Sequence, residues 1–263
     1  LAGLPPSARL HTLPCIAGHV GADAAAVTLS ERPYAAKNTT LLVDIGTNAE
    51  IVFGNRKLVL AASSPTGPAF EGAEISCGQR AAPGAIERVR IDQETYAPKF
   101  KIIGADMWSD EAGFAEPAGK TGITGICGSG IVEAIAEMYL AGLITADGVI
   151  RQPPNGAGDH LVRVGRTWSY MLHRGEIEIS VSQKDVRAIQ LAKAALYAGA
   201  RLLMDKLGVD EVGQIKLAGA FGSYIDPKYA MTLGLIPDCD LKKVRGIGNA
   251  ASTGARMALL NRR

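Results

Sequence analysis

The stretch LLVDIGTNAEIVFG, residues 41–54, decides the fold. An apolar run, Leu41-Leu42-Val43, reaches Asp44 and breaks at Gly46. A second run, Glu50 to Phe53, follows at once, and a third, Lys57 to Ala61, lies beyond Gly54-Asn55. Short apolar runs split by glycine and asparagine predict strand, turn, strand, turn, strand. Asp44 therefore sits at a strand tip, two residues before a backbone with no Cβ at Gly46. N–H groups beside such a glycine can reach an anion, and Thr47 and Asn48 add neutral donors. Asp44 could hold Mg²⁺ through water or orient an attacking water. It could equally bond its own backbone in a plain hairpin turn.

Downstream, the pattern changes from strands to alternating helix and strand. Gly128-Ser129-Gly130 leads into a run from Ile131 to Leu143 with helical spacing. Exposed N–H groups at such a helix start attract anions, and close helix–strand packing explains the same glycines. Ser182, with Asp185 three residues later, starts the longest helix. Val186, Ile189, Leu196, Ala200, Leu203 and Leu207 trace its apolar face, and Gly208 ends it. Ile215 to Ala218 is a short strand running into Gly219-Ala220-Phe221-Gly222, where flat backbone could lie against a nucleobase or form an ordinary turn. Val244 to Ile247 is another strand, and Asn249 caps a last helix. Strands first, then alternation, give a layered α/β domain. The strands at 41–61 and 215–218 should share one mixed sheet, covered by the long helix.

Composition narrows the function. The chain has 263 residues, 47% hydrophobic and 21% charged, with a net charge of +2. Global disorder is excluded, and nothing favours nucleic acid or an anionic membrane. Cys15, Cys77, Cys127 and Cys239 are far apart, so no metal site is expected, and a cytoplasmic location is the simplest reading. No apolar stretch has the length of a membrane span. No segment matches GxxxxGK[ST], and Gly246 to Ala251 fails the last glycine of GxGxxG. Lys193 stands on the apolar stripe of the long helix with Gln190 one turn earlier. Such a pair either snorkels or points into a ligand cleft. The loop Ser63-Ser64-Pro65-Thr66-Gly67-Pro68 offers hydroxyls on a backbone held by proline and glycine, as a partner surface or as a connecting turn.

In order, these turns resemble the sugar kinase/heat-shock chaperone/actin superfamily. LLVDIGTNAEIVFG, GPAFEGAEISCGQRAAPGAIERV, GICGSGIVEAIAEM, QKDVRAIQLAKAALYAGARLL, KLAGAFGSYID and GNAASTGARMALL look more closely like the C-terminal domain of ATP-dependent reductive activators of corrinoid proteins. That resemblance implies an RNase H-like, actin-type ATPase fold. It also implies ATP and Mg²⁺ as cofactors, a corrinoid protein as partner and a homodimer. The implied activity is return of cob(II)alamin-type corrinoid to the cob(I) state, with electrons from an iron–sulfur domain in the same polypeptide. Asp44, Gly46, Thr47 and Asn48 match the second phosphate turn. Gly219, Ala220, Phe221 and Gly222 match the adenosine turn, and Gln190 and Lys193 fall where relatives place polar residues near ribose and base. The expected organisation is a lead-in segment, 1–40, then the ATPase domain, 41–263, as the C-terminal piece of a longer activator. A small-molecule kinase and a docking module for a corrinoid protein are the alternatives. Ser63, Ser64 and Thr66 would be the docking contacts.

Overall fold

A computed structural model describes residues 3, 5, 7–154, 156–222 and 224–261. It opens with α1 (Ala22–Glu31), followed by β1 (Thr40–Ile45), β2 (Ala49–Gly54) and β3 (Val59–Ser64). Next come β4 (Ala85–Ile91), β5 (Pro98–Ile102), α2 (Ala115–Thr121), β6 (Gly125–Ile126) and α3 (Gly128–Leu140). The strands β7 (Leu161–Val164), β8 (Thr167–His173) and β9 (Ile179–Ser182) lead to α4 (Gln183–Leu207). The chain closes with β10 (Gln214–Ala218), the single turn α5 (Gly219–Gly222), α6 (Pro227–Thr232), β11 (Val244–Gly248) and α7 (Ala250–Leu260).

The main sheet has the order β11-β10-β1-β2-β3. β1, β10 and β11 run parallel, while β2 and β3 are antiparallel additions. The strands at 41–61 and 215–218 thus share one mixed sheet, the RNase H-like arrangement implied by the resemblance. Alternation along β1 sorts its side chains. Leu41, Val43 and Ile45 join the core with Val186, Ile189 and Leu196 of α4. Leu42 faces the other way, toward Val27 of α1 and Ala250 of α7. The long helix has the capping box read from Ser182 and Asp185, and Gly208 ends it in the left-handed conformation.

The lead-in segment carries structure of its own. Its helix α1 is a structural layer of the domain, packed on α7 so closely that a Cβ on Gly254 would stand 1.9 Å from the Ala26 carbonyl. Lys216 of β10 also pairs with Glu31 at 2.6 Å, both largely buried. The glycine-dense turn at 128–130 belongs to α3 itself, which begins at Gly128 and not at Ile131. Sequence periodicity missed α2, whose Ala115-Glu116-Pro117-Ala118-Gly119 carries no apolar stripe. Among the described residues no helix is long and apolar enough to cross a membrane.

The second sheet, β5-β4-β6, depends on two buried carboxylates. β6 pairs only with Ala85 and Ile86, so the N–H groups of Val89 and Ile91 face an open edge. Glu133 accepts from Val89 at 3.0 Å and Glu137 accepts from Ile91 at 3.1 Å. The spacing matches: four residues of helix rise about 6 Å and two residues of strand about 6.6 Å. One face of α3 therefore stands in for a missing strand. Arg88 and Arg90 each reach Glu133 at 2.6 Å, and Tyr229 donates its hydroxyl to Glu137. These donors offset the cost of removing two carboxylates from water. Glu133→Ala is expected to destabilise the fold by roughly 3 kcal/mol, because it orphans a buried N–H and two guanidinium groups. Urea denaturation checks this, and Glu133→Gln, which keeps an acceptor, should lose less.

Candidate functional site

Three parallel strands end side by side. Asp44 stands opposite Ala218, and Ala218 opposite Gly248. Each end releases a turn: 46–48 after β1, 219–222 after β10, and Asn249, which caps α7 through Ser252 N–H, after β11. The carboxyl ends of parallel strands are where open α/β sheets bind ligands, since the outgoing turns diverge there.

Asp44 lies on the α1 side of the sheet. Gly219 has φ +86°, and a Cβ there would stand 2.6 Å from Asp44 Oδ1. Backbone conformation and the carboxylate together require glycine at this position. Burial first, then the charge of Asp23 on α1, push the Asp44 carboxyl above its ordinary range. Glu50, the cross-strand partner of Asp44, is raised by burial and by Asp23 as well, with a further contribution from Asp44 itself. Three crowded carboxylates favour a proton or a cation at Asp44.

The 46–48 turn is pinned from behind. Gly46 N–H donates to the Asn48 carbonyl at 3.2 Å. Thr66 Oγ1 lies 3.2 Å from the carbonyls of both Gly46 and Thr47. Thr47 donates its hydroxyl to Glu71 at 2.7 Å. The Cβ position of Gly46 stays open, with Asn48 O the nearest atom at 3.4 Å.

Beside Gly46 opens a pocket of about 610 Å³, between α5, the start of α3 and the strands β4 and β5. Phe221 lines it and stacks on Phe70, with centroids 5.4 Å apart and planes at 17°. Gly128 makes this stack possible: a Cβ would meet Phe70 O at 1.8 Å and the Phe221 ring at 2.4 Å. Ser129 also lines the pocket, its hydroxyl 3.3 Å from Cys127 Sγ. Gly130 instead packs on β4, 2.2 Å from Ile86 O by the same measure.

Several sequence expectations move. Residues 219–222 form a helical turn, not a flat strip, and the Phe221 ring is what reaches the pocket. The side chain of Ala220 lies outside the described residues. Gly222 faces Leu217, 3.2 Å from its carbonyl carbon, so a valine there would press on β10 and not on a ligand. Gln190 and Lys193 lie on another groove, with Ile135 and Ile144. Gln190 bonds Arg187 and the Asp147 carbonyl, and Lys193 donates to the Leu233 carbonyl at 2.6 Å. Neither lines the pocket of Phe221. Ser64 and Thr66 are buried and turned inward, Ser64 onto the Ala195 carbonyl at 2.5 Å. Ser63 lies within β3, opposite Glu50, and donates to it at 3.3 Å. The docking loop read at 63–68 thus has its hydroxyls already in use within the fold. Among the described residues no group of three His, Cys, Asp or Glu is arranged to hold a metal. Asp23, Glu50, Phe70, Glu71, Arg80 and Glu87 were not singled out by sequence, because no spacing rule joins them.

The family described as the C-terminal domain of RACo, the ASKHA domain, matches residues 38–263. The corrinoid activation enzyme RamQ of Eubacterium limosum is 38% identical, over 98% of this chain and 42% of its own. A Co(II) methylated amine-specific corrinoid protein reductase of Methanosarcina barkeri is 29% identical, over 95% of this chain and 44% of its own. A solved structure titled as a reductive activator for a corrinoid, iron–sulfur protein superposes with TM-score 0.80 at 32% identity, over 95% of this chain and 38% of that one. The chain spans about two fifths of the length of these relatives.

The crowding at Asp44 has a stability consequence. A carboxyl with a raised folded-state pKa makes the protein less stable as pH rises from its unfolded value through its folded one. Asp44→Asn should therefore stabilise the fold at neutral pH, and that gain should vanish in acid, where the native carboxyl is already protonated. Thermal melts of both proteins from pH 7 downward check this; a gain that grows in acid would contradict it.

Proposed function

This chain belongs to the family of RACo C-terminal ASKHA domains, and from that premise we propose that it is the ATPase portion of a corrinoid-protein reductive activator. The activity is one-electron reduction of a Co(II) corrinoid to Co(I), made favourable by ATP. The names of both curated relatives support the corrinoid partner. The observation that carries the nucleotide reading is the juxtaposition of Asp44, the Gly46 turn and the Phe221 pocket at the ends of parallel strands.

The residues fit ATP. Gly46 leaves its turn open to an anion, and Gly46, Thr47 and Asn48 would face the phosphates. The pocket with Phe221, Gly128 and Ser129 has the size and apolar lining for a nucleoside. Asp44, crowded by two other carboxylates, would hold Mg²⁺ through water, the usual way Mg²⁺ is bound beside phosphates. Bound ATP supplies free energy through hydrolysis of its terminal phosphate. The electron comes from an iron–sulfur centre in the longer polypeptide, since the four cysteines here are dispersed. A homodimer working in the cytoplasm completes the proposal.

The test uses the full polypeptide, a corrinoid protein and a low-potential donor, with cob(I) formation followed by visible absorbance. ATP should be required for reduction. Asp44→Ala should lower the ATP-dependent rate by roughly 100-fold or more, the scale of losing one charge-positioning group. Folding should survive, because Asp44 is a half-buried strand-end residue among like charges. Full activity in Asp44→Ala, or reduction indifferent to ATP, would overturn the proposal.

A further inference from the structure

We propose that Glu87 binds the ribose hydroxyls of the nucleotide, the role that sequence had given to Gln190 and Lys193. The proposal rests on the reading of the Phe221 pocket as a nucleotide site. Three charged side chains, Glu71, Arg80 and Glu87, line that pocket. Neither Arg80 nor Glu87 forms a hydrogen bond or ion pair with a described residue, not even with the other. Nearby charges behave differently: Glu71 is engaged by Thr47, and Arg88 and Arg90 by Glu133.

Glu87 reaches the pocket through a defect in its strand. In the β4–β5 ladder Ile86 faces Ile102 and Arg88 faces Lys101, so Glu87 is an extra residue without a partner. The bulge resets the alternation. Ile86 is buried before it, and Val89 and Ile91 after it. A bulge of this kind re-aims one side chain at the cost of a ladder bond, and bulges gather beside active sites.

The chemistry then selects the ligand group. An ionised carboxylate only accepts hydrogen bonds, and it repels phosphates. It suits the end of the pocket away from the Gly46 turn. Phe221 and Tyr224, on the α5 side of the pocket, offer aromatic faces to a base. The sugar is left to face β4, where a vicinal diol can give both O–H donors to one carboxylate. Arg80 supplies one positive charge beside the carboxylates of Glu71 and Glu87.

The experiment measures equilibrium binding of ATP and of 2′,3′-dideoxy-ATP to the full polypeptide by calorimetry. Wild type should bind ATP about tenfold or more tighter than the dideoxy analogue, the value of hydrogen bonds to a charged group. Glu87→Ala should weaken ATP by that factor and leave the analogue unchanged. Its melting temperature should not move, because Glu87 has no partner in the protein. Equal losses for both nucleotides, or an unaltered ratio, would overturn the assignment while leaving the pocket a nucleotide site. A wild type that binds neither nucleotide would refute the nucleotide reading and this inference together.

Discussion

The register of β1 against β10 is the constraint on which the rest depends. Asp44 and Ala218 are paired residues on parallel strands, so the next residue, Gly219, must pass the Asp44 carboxylate. It does so with φ +86° and with no room for a side chain. A slip of one residue would turn Asp44 to the core face, toward Val186, Ile189 and Leu196 of α4, where an ionised carboxylate would be unpaired among apolar side chains. The hydrophobic pattern of β1 therefore fixes the chemistry of its end. Leu41, Val43 and Ile45 demand one face, and Asp44 inherits the other.

A second constraint works through α3. Glu133 and Glu137 complete the open edge of β4 where no strand is present. This places β4 at one wall of the pocket, while the first turn of the same helix, Gly128 and Ser129, forms another. The two walls are tied by a single rigid element. Tyr229 extends the tie to α6, which follows the Phe221 turn in the chain. The buried carboxylates thus hold the pocket's shape without entering it, and the arginines that neutralise them are drawn from β4 itself.

The main sheet was legible because its signals are local. The Gly46 and Gly54-Asn55 breaks, the Ser182–Asp185 box, Gly208 and the Asn249 cap each act within a few residues, and each element they mark is present. The glycines were harder to interpret. Gly128, Gly130 and Gly222 read alike in sequence as bare backbone for a ligand, yet what each one meets is Phe70 and Phe221, Ile86, and Leu217. Close approach between two protein segments leaves the same mark in sequence as close approach to a ligand. Lys193 misled for a related reason. It lies on the stripe side of α4, but a stripe that wide touches both the sheet and the 232–234 turn, and its ammonium serves the turn. Glu87 was invisible because a bulge depends on the partner strand, and nothing near residue 87 announces the mismatch with β5.

The charge distribution at the strand ends gives the site its direction. Asp23, Asp44 and Glu50 come from three different elements, α1, β1 and β2, and converge on the α1 side of the sheet. The aromatic pocket lies on the other side of the β1 end, where Ile45 and Gly46 line it. A ligand spanning both must carry a cation at one end and a flat apolar group at the other, with Gly46 between them. Magnesium-bound nucleotide, the proposed ligand, has that polarity. The same arrangement gives α1 a part in the chemistry. Lys216 and Gly254 hold α1 against the sheet and α7, which keeps Asp23 close enough to raise Asp44. A cation at Asp44 relieves repulsion that the folded protein otherwise retains, so binding there draws on strain already present in the free site.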